Sequence, residues 1–392
     1  MSHDAAQLRW YGAARLLEVV RSEPGITRAA AAQRLGIGRG GATELVARMR
    51  RVCLVDEAPA PVTGRGRPTK ILTPHPDGPL VLAADLGPRD WLVALSGIDG
   101  SPSVIARDDH VGEDFAAVLS KMADAIGAAH HANGPRIRAV SVAVAGTISG
   151  SRLGQFTARG WTDVDLSVLT AALPAGIPLL SGNDATLAGL AEARTGAAHG
   201  AGTALHLIVK VGIGGVLVVD GEPLTGARSA AGEYGHIPFA DPQLACPCGA
   251  RGCWDLVVDG RALARHRGDA PPDDPVGYAR ALLGEPDRDA GTRRAFDAVA
   301  GALGGGIAGL VNLHDPDVVT LGGLAAQLRA AAPAAFHTAY RDGLMAFRKD
   351  SPPPVLDGSH GEEGPLRGAV ARALDHVTAA PALADWAAAA RC

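Results

Sequence analysis

Residues 232–255 read GEYGHIPFADPQLACPCGARGCWD and hold three of the five cysteines of the chain. Cys246, Cys248 and Cys253 stand within eight residues, His236 precedes them by ten, and glycines at 249 and 252 let the backbone turn between the thiols. Three thiolates and one imidazole form a closed, water-free tetrahedral set of the kind that holds structural zinc. Isolated buried thiols are common in cores, but they do not cluster beside Pro247, Gly249 and Gly252 as these do. A disulfide is the weaker reading, because Cys246 and Cys248 are too close in sequence to bridge easily and nothing else in the chain points to an oxidising compartment. The expected cofactor is therefore one zinc ion on His236, Cys246, Cys248 and Cys253.

Glu233 and His236 in GEYGH, followed by CPCGARGC, resemble the signature of the ROK family, whose members are sugar kinases or sugar-sensing transcriptional repressors. The resemblance implies that His236 binds zinc through one ring nitrogen and faces a sugar with the other, and that Glu233 binds sugar hydroxyls. It also implies an effector role for Asp255, which stands where the family usually has a glutamate two residues after the last cysteine.

The net charge of −4 hides an asymmetry. The first 80 residues carry 12 Lys+Arg against 7 Asp+Glu, a balance of +5, which leaves −9 for the rest. A basic head on an acidic body points to a polyanion-binding module joined to something else. In the head, apolar residues at Leu8, Tyr11, Leu16, Val19 and Val20 follow a helical period that stops at Pro24-Gly25, and Thr27 caps a second, alanine-rich helix that ends at Gly36. A third helix puts Ala42, Leu45, Val46 and Met49 on one side and leaves Arg39, Thr43 and Arg48 for DNA. Two short helices joined by a four-residue turn make a helix-turn-helix. The segment CLVDEAPAPVTGRGRPTKILTPHP then reads as two strands around a loop, a wing whose Arg65 and Arg67 suit a narrow minor groove. Residues 1–78 are thus expected to form a winged helix-turn-helix domain, a module that the ROK repressors carry and the ROK kinases lack.

Residues 79–392 alternate strands and helices, an α/β body that resembles the two-lobed actin-like fold of sugar kinases, with a cleft between the lobes. The phosphate side of this cleft departs from the family. Where the family has Asp-x-Gly-Gly-Thr, this chain has Asp85-Leu86-Gly87-Pro88-Arg89, so one donor N–H and the hydroxyl are missing. In the second glycine hairpin, Lys210 and Val211 stand where Gly-Thr is common and Val216 where glycine is usual, whereas the Leu321-Gly322-Gly323 turn is retained. The sugar side is better kept: Ser181-Gly182-Asn183-Asp184 resembles the motif whose asparagine binds sugar and whose aspartate is a kinase's general base. A helix N-cap is the alternative role for Asn183 and Asp184. Gly146 matches the family's turn beside the sugar. Thr157-Ala158-Arg159-Gly160-Trp161 keeps only Gly160 and Trp161 of Pro-Asn-x-Gly-Trp, and Arg159 brings in the option of a phosphorylated sugar.

The sequence therefore predicts a DNA-binding repressor and not an enzyme. A sugar or sugar phosphate is expected on Gly146, Asn183, Asp184, Glu233, His236 and Asp255, and the protein is expected to bind an inverted-repeat operator as a homodimer or dimer of dimers. An ATP-dependent sugar kinase with a DNA-binding head is the alternative. No uncharged apolar run reaches the roughly 18 residues that a membrane span needs, and no signal peptide is read at the N-terminus, so a cytoplasmic protein is expected.

Overall fold

Three helices open the chain: α1 (His3–Ser22), α2 (Arg28–Leu35) and α3 (Arg39–Arg51). The computed structural model describes residues 3–60, 70–227 and 229–389. The Thr27 side chain accepts the Ala30 N–H to start α2, and Gly36 ends it in the left-handed conformation. An antiparallel pair follows, β1 (Val55–Pro59) with β2 (Lys70–Pro74), in register from Val55 opposite Pro74 to Pro59 opposite Lys70. Arg65 and Arg67 lie outside the described residues. On α1 the buried stripe is Trp10, Ala13, Leu16, Leu17 and Val20. Tyr11, expected on this stripe, is 63% exposed, because the stripe runs one residue earlier and leaves the phenol in water.

The first lobe is a five-stranded sheet of β3 (Leu80–Leu86), β4 (Asp90–Ser96), β5 (Ser103–Asp109), β6 (Ile137–Val144) and β10 (Leu179–Asn183), in the order β10-β6-β3-β4-β5. The helix α4 (Phe115–Asn133) covers the face made by Leu82, Ala84 and Leu86. The opposite face, Val81 and Ala83, lies under two helices, α5 (Asp184–Thr195) and a later one, so β3 is apolar at successive positions. A small sheet of β7 (Thr147–Ser149), β8 (Arg152–Phe156) and β9 (Trp161–Asp165), not anticipated from the sequence, folds over one end of the cleft.

The second lobe contains β11 (Thr203–Lys210), β12 (Gly212–Val219), β13 (Glu222–Pro223), α6 (Gly260–Arg267), α7 (Pro275–Leu283), α8 (Ala290–His314), β14 (Val318–Gly323), α9 (Leu324–Ala331), α10 (Pro333–Gly343) and β15 (Val355–Asp357). Its sheet has the order β13-β12-β11-β14-β15. By length and composition α8 could cross a membrane, but Phe296, Val299, Leu303, Ile307 and Leu310 are buried in the core of this lobe.

The chain then returns to the first lobe through α11 (Gly364–Val377) and to the head through α12 (Ala380–Ala389). α11 lies against α5 so closely that a Cβ at Gly368 would run into the carbonyl oxygen of Leu187. Leu383 and Trp386 of α12 enter the apolar core of the head beside Leu16, Leu17 and Met49, and the Trp386 indole N–H donates to the Val52 carbonyl at 2.7 Å.

Candidate functional site

The knuckle takes its shape from short backbone ladders. Pro238 bridges Cys253, Ala245 bridges Arg251, and the Cys246 N–H donates to the Ala250 carbonyl at 2.9 Å. Gly249 and Gly252 turn with positive φ, 95° and 67°, which glycine tolerates without a side-chain penalty. One ligand atom from each of His236, Cys246, Cys248 and Cys253 lies within 4.8 Å of the others, so the four could hold a metal ion. In a tetrahedron with metal–sulfur bonds of about 2.3 Å the ligands stand roughly 3.8 Å apart. The Sγ atoms of Cys248 and Cys253 are 3.7 Å apart, and Cys246 Sγ is 3.9 Å from His236 Nδ1. The donor set and its spacing fit.

His236 faces two ways. Its Nδ1 lies toward Cys246, whereas Nε2 is 3.9 Å from Glu233 Oε2 at the edge of a cavity of about 400 Å³. That cavity is also bordered by Gly146, Asn183, Asp184 and Asp255, so all six effector residues expected from the sequence meet there.

Their local roles differ. The Asn183 Oδ1 accepts the N–H groups of Ala185 and Thr186 and caps α5, while its Nδ2 donates to the Gly146 carbonyl at 3.1 Å. One side chain therefore fixes both the helix start and the turn beside the cavity. Asp255 is buried and accepts the Ile213 N–H at 2.6 Å, which ties the knuckle to the β11–β12 hairpin; burial raises its pKa, with the Ile213 N–H opposing. Burial likewise raises Glu233.

Asp184 is the first residue of α5, and its Oδ2 accepts from the Lys210 ammonium at 3.0 Å. Lys210, at the end of β11, borders both this cavity and a second one of about 870 Å³. Burial by itself would lower the Lys210 pKa, but Asp184 and Asp85 outweigh it and raise it. Asp85 Oδ1 is buried without a hydrogen-bond partner, and burial pushes this carboxyl up to about 6 even though Lys210 opposes. The sequence showed Lys210 as a departure from a glycine, one of only four lysines in the chain. It did not show that the ammonium reaches back to α5.

The second cavity holds the Pro88–Arg89 turn. Arg89 extends across the cleft to Asp274, 3.6 Å away, and Asp274 caps α7 by accepting the Gly277 N–H at 3.0 Å. Arg159 borders this larger cavity and not the smaller one. Its Nη2 donates to the carbonyls of His110 and Glu113, at 2.9 and 2.8 Å, and its guanidinium lies 5.0 Å from the centroid of the Trp161 ring. The arginine that suggested a sugar phosphate is thus engaged in holding a loop.

In the head, Arg39 and Thr43 are exposed on α3, with the Thr43 hydroxyl donating to the Arg39 carbonyl at 2.9 Å. Arg48 lies apart from them, over the Trp10 ring at 5.6 Å, because position 48 faces α1.

Residues 82–376 match the model of the ROK family. Kanosamine kinase of Amycolatopsis mediterranei is 32% identical over 276 residues, 67% of this chain and 85% of the relative. Glucokinase of Streptomyces coelicolor is 29% identical over 229 residues, 53% of this chain and 70% of the relative. Among solved structures, a ROK family transcriptional regulator described as a homolog of the E. coli MLC protein matches with a TM-score of 0.74 at 20% identity, over 97% of this chain and 99% of its own. A ROK hexokinase of Thermus thermophilus matches with a TM-score of 0.58 at 30% identity, over 75% of this chain and 97% of its own.

Proposed function

The chain belongs to the ROK family, and from that premise we propose that it is a DNA-binding transcriptional repressor whose body senses a sugar or sugar derivative without phosphorylating it. The observation that carries this reading is the ion pair of Asp184 with Lys210. A general base must be free to take a proton from the substrate hydroxyl, whereas here an ammonium is bonded to the carboxylate that would do so. Phosphoryl transfer also depends almost wholly on positioned donors around the phosphate, and Pro88 and Arg89 occupy the turn that would supply them. The sugar side is intact in the sense that Gly146, Asn183, Asp184, Glu233 and His236 converge on one cavity. Zinc on the four knuckle residues would hold His236 in the orientation that presents Nε2 to that cavity.

The head supports the DNA-binding half of the proposal. Three helices followed by an antiparallel strand pair are the element order that a winged helix-turn-helix requires, and Arg39 and Thr43 are exposed on the third helix. A two-fold dimer of such heads reads an inverted repeat. The kinase alternative is favoured by the names of the relatives and by the retained Leu321-Gly322-Gly323 turn.

A thermal-shift screen of the zinc-loaded protein against neutral hexoses, amino sugars and their phosphates tests the sensing half. DNA selected from a random pool by the protein then tests the other half. At least one sugar raises the melting temperature and changes affinity for the selected DNA, with a coupling of about 1–3 kcal/mol, or roughly 5- to 150-fold. No selected sequence, or no sugar that alters its binding, contradicts the proposal.

A further inference from the structure

Where the head meets the body, three helices end together: α1 with Arg21 in its last turn, α5 with Arg194 in its last turn, and α11 with Asp375 two residues before its end. Helix C-termini carry partial negative charge, so the two arginines suit their positions. Asp375 does not, since a carboxylate there opposes the dipole of its own helix, and burial raises its pKa although Arg194 and Arg21 oppose.

The reason for its presence lies in what it joins. Asp375 Oδ2 accepts from Arg194 Nη2 at 3.0 Å, and its Oδ1 lies 3.6 Å from Arg21 Nη2. Arg21 also donates to the Thr378 hydroxyl at 3.2 Å. On the far side, the same Arg194 Nη2 donates to Glu222 Oε1 at 2.8 Å, and Gly221, at φ 80°, leaves room for the guanidinium, since a Cβ there would stand 2.8 Å from Nη1. Signs alternate along the row: Glu222 in the second lobe, Arg194 on the helix that starts at the cleft, Asp375 in the first lobe, Arg21 in the head. Three bodies are connected by four side chains.

We propose that this row is the coupling between cleft and DNA-binding head: movement of the second lobe draws Glu222 against Arg194, and the share of Asp375 left for Arg21 sets how firmly α1 docks on the body. The helix α5 makes the link mechanical. Its first residue is tied to the second lobe by Lys210, its side is locked on α11 at Gly368, and its last turn carries Arg194. The inference rests on the reading of the cleft as a sensor, but its test needs neither sugar nor DNA, so the two can fail separately.

The test is hydrogen exchange of the full chain, followed in peptides that cover residues 10–22. Glu222 pairs with Arg194 and its side chain is 74% exposed, so Glu222→Gln leaves the fold intact. Loss of an exposed pair is worth less than about 1 kcal/mol, and Glu222→Gln accordingly speeds exchange at the end of α1 roughly 2- to 5-fold. In the Asp375→Asn background exchange is already fast, and adding Glu222→Gln changes nothing further. Unchanged exchange in the single variant, or an equal acceleration in both backgrounds, overturns the proposal. Arg194→Met, which leaves the whole of Asp375 to Arg21, slows exchange at the end of α1, and Arg194→Lys, which keeps the charge, returns it part of the way to the wild-type rate; faster exchange in Arg194→Met overturns the proposal.

Discussion

Asp85 and Asp184 flank the same lysine, yet only Asp85 is left with a buried oxygen that nothing satisfies. Its carboxyl is held at about 6, above the ordinary 3.8. The folded chain therefore binds this proton more tightly than the unfolded chain does. The sign follows: the contribution of Asp85 to stability falls as pH rises from about 4 to 6, and the loss is complete above 6. The difference corresponds to about 3 kcal/mol as an upper figure. Asp85→Asn cannot charge, and Lys210 keeps Asp184 as its partner, so this variant gains about 1–3 kcal/mol over wild type at pH 8 and nothing at pH 4. Urea unfolding at the two pH values measures it, and an equal change at both contradicts it. At this scale the sequence was informative about which residues depart from a kinase, namely Pro88, Arg89 and Lys210, and silent about what they touch. Arg159 shows the limit: a guanidinium looks free in a sequence, and only the fold shows that the His110 and Glu113 carbonyls hold it.

Among the elements, the knuckle was the most legible, because four ligands of two types at fixed spacing admit few arrangements. Metal binding to such a set is coupled to local folding. Protein purified without chelator is expected to carry about one zinc per chain, and Cys248→Ser to lose most of it and to lower the affinity of any sugar that the screen finds. Elemental analysis that finds no zinc in the wild-type protein contradicts this. The apolar periods made β3, β4, α4, β6, β10, α5, the β11–β12 hairpin, β14 and α9 legible, whereas α6, α7, α8 and α11 were not read from the sequence. The β7–β9 sheet was not, since β8 reads RLGQF and β9 reads WTDVD, short runs in which polar residues interrupt any two-residue alternation. The apolar stripe of α1 was read one position late at Tyr11, where an aromatic ring with a polar end can lie on either side of a boundary.

Across the whole molecule, the two ends of the chain meet. Trp386 and Leu383 complete a core built otherwise from α1–α3, from Leu54, Val55 and Leu72 at the strand pair, and from Ile98, so the head is finished only when the last helix docks. Contacts separated by more than 300 residues leave no periodic trace, which is why the sequence divided cleanly into head and body and the structure does not. The same joint holds Arg21 and Asp375, so the end that closes the head also carries the link to the cleft. The proposed sensor binds its ligand without transferring phosphate, and ADP release measures that directly. Zinc-loaded full-length protein is incubated with ATP, magnesium and, in turn, glucose, N-acetylglucosamine and kanosamine, and ADP is followed by a coupled assay. No ADP above the sugar-free background is the predicted result; sugar-dependent turnover that persists after repurification and is abolished by Asp184→Asn would contradict it.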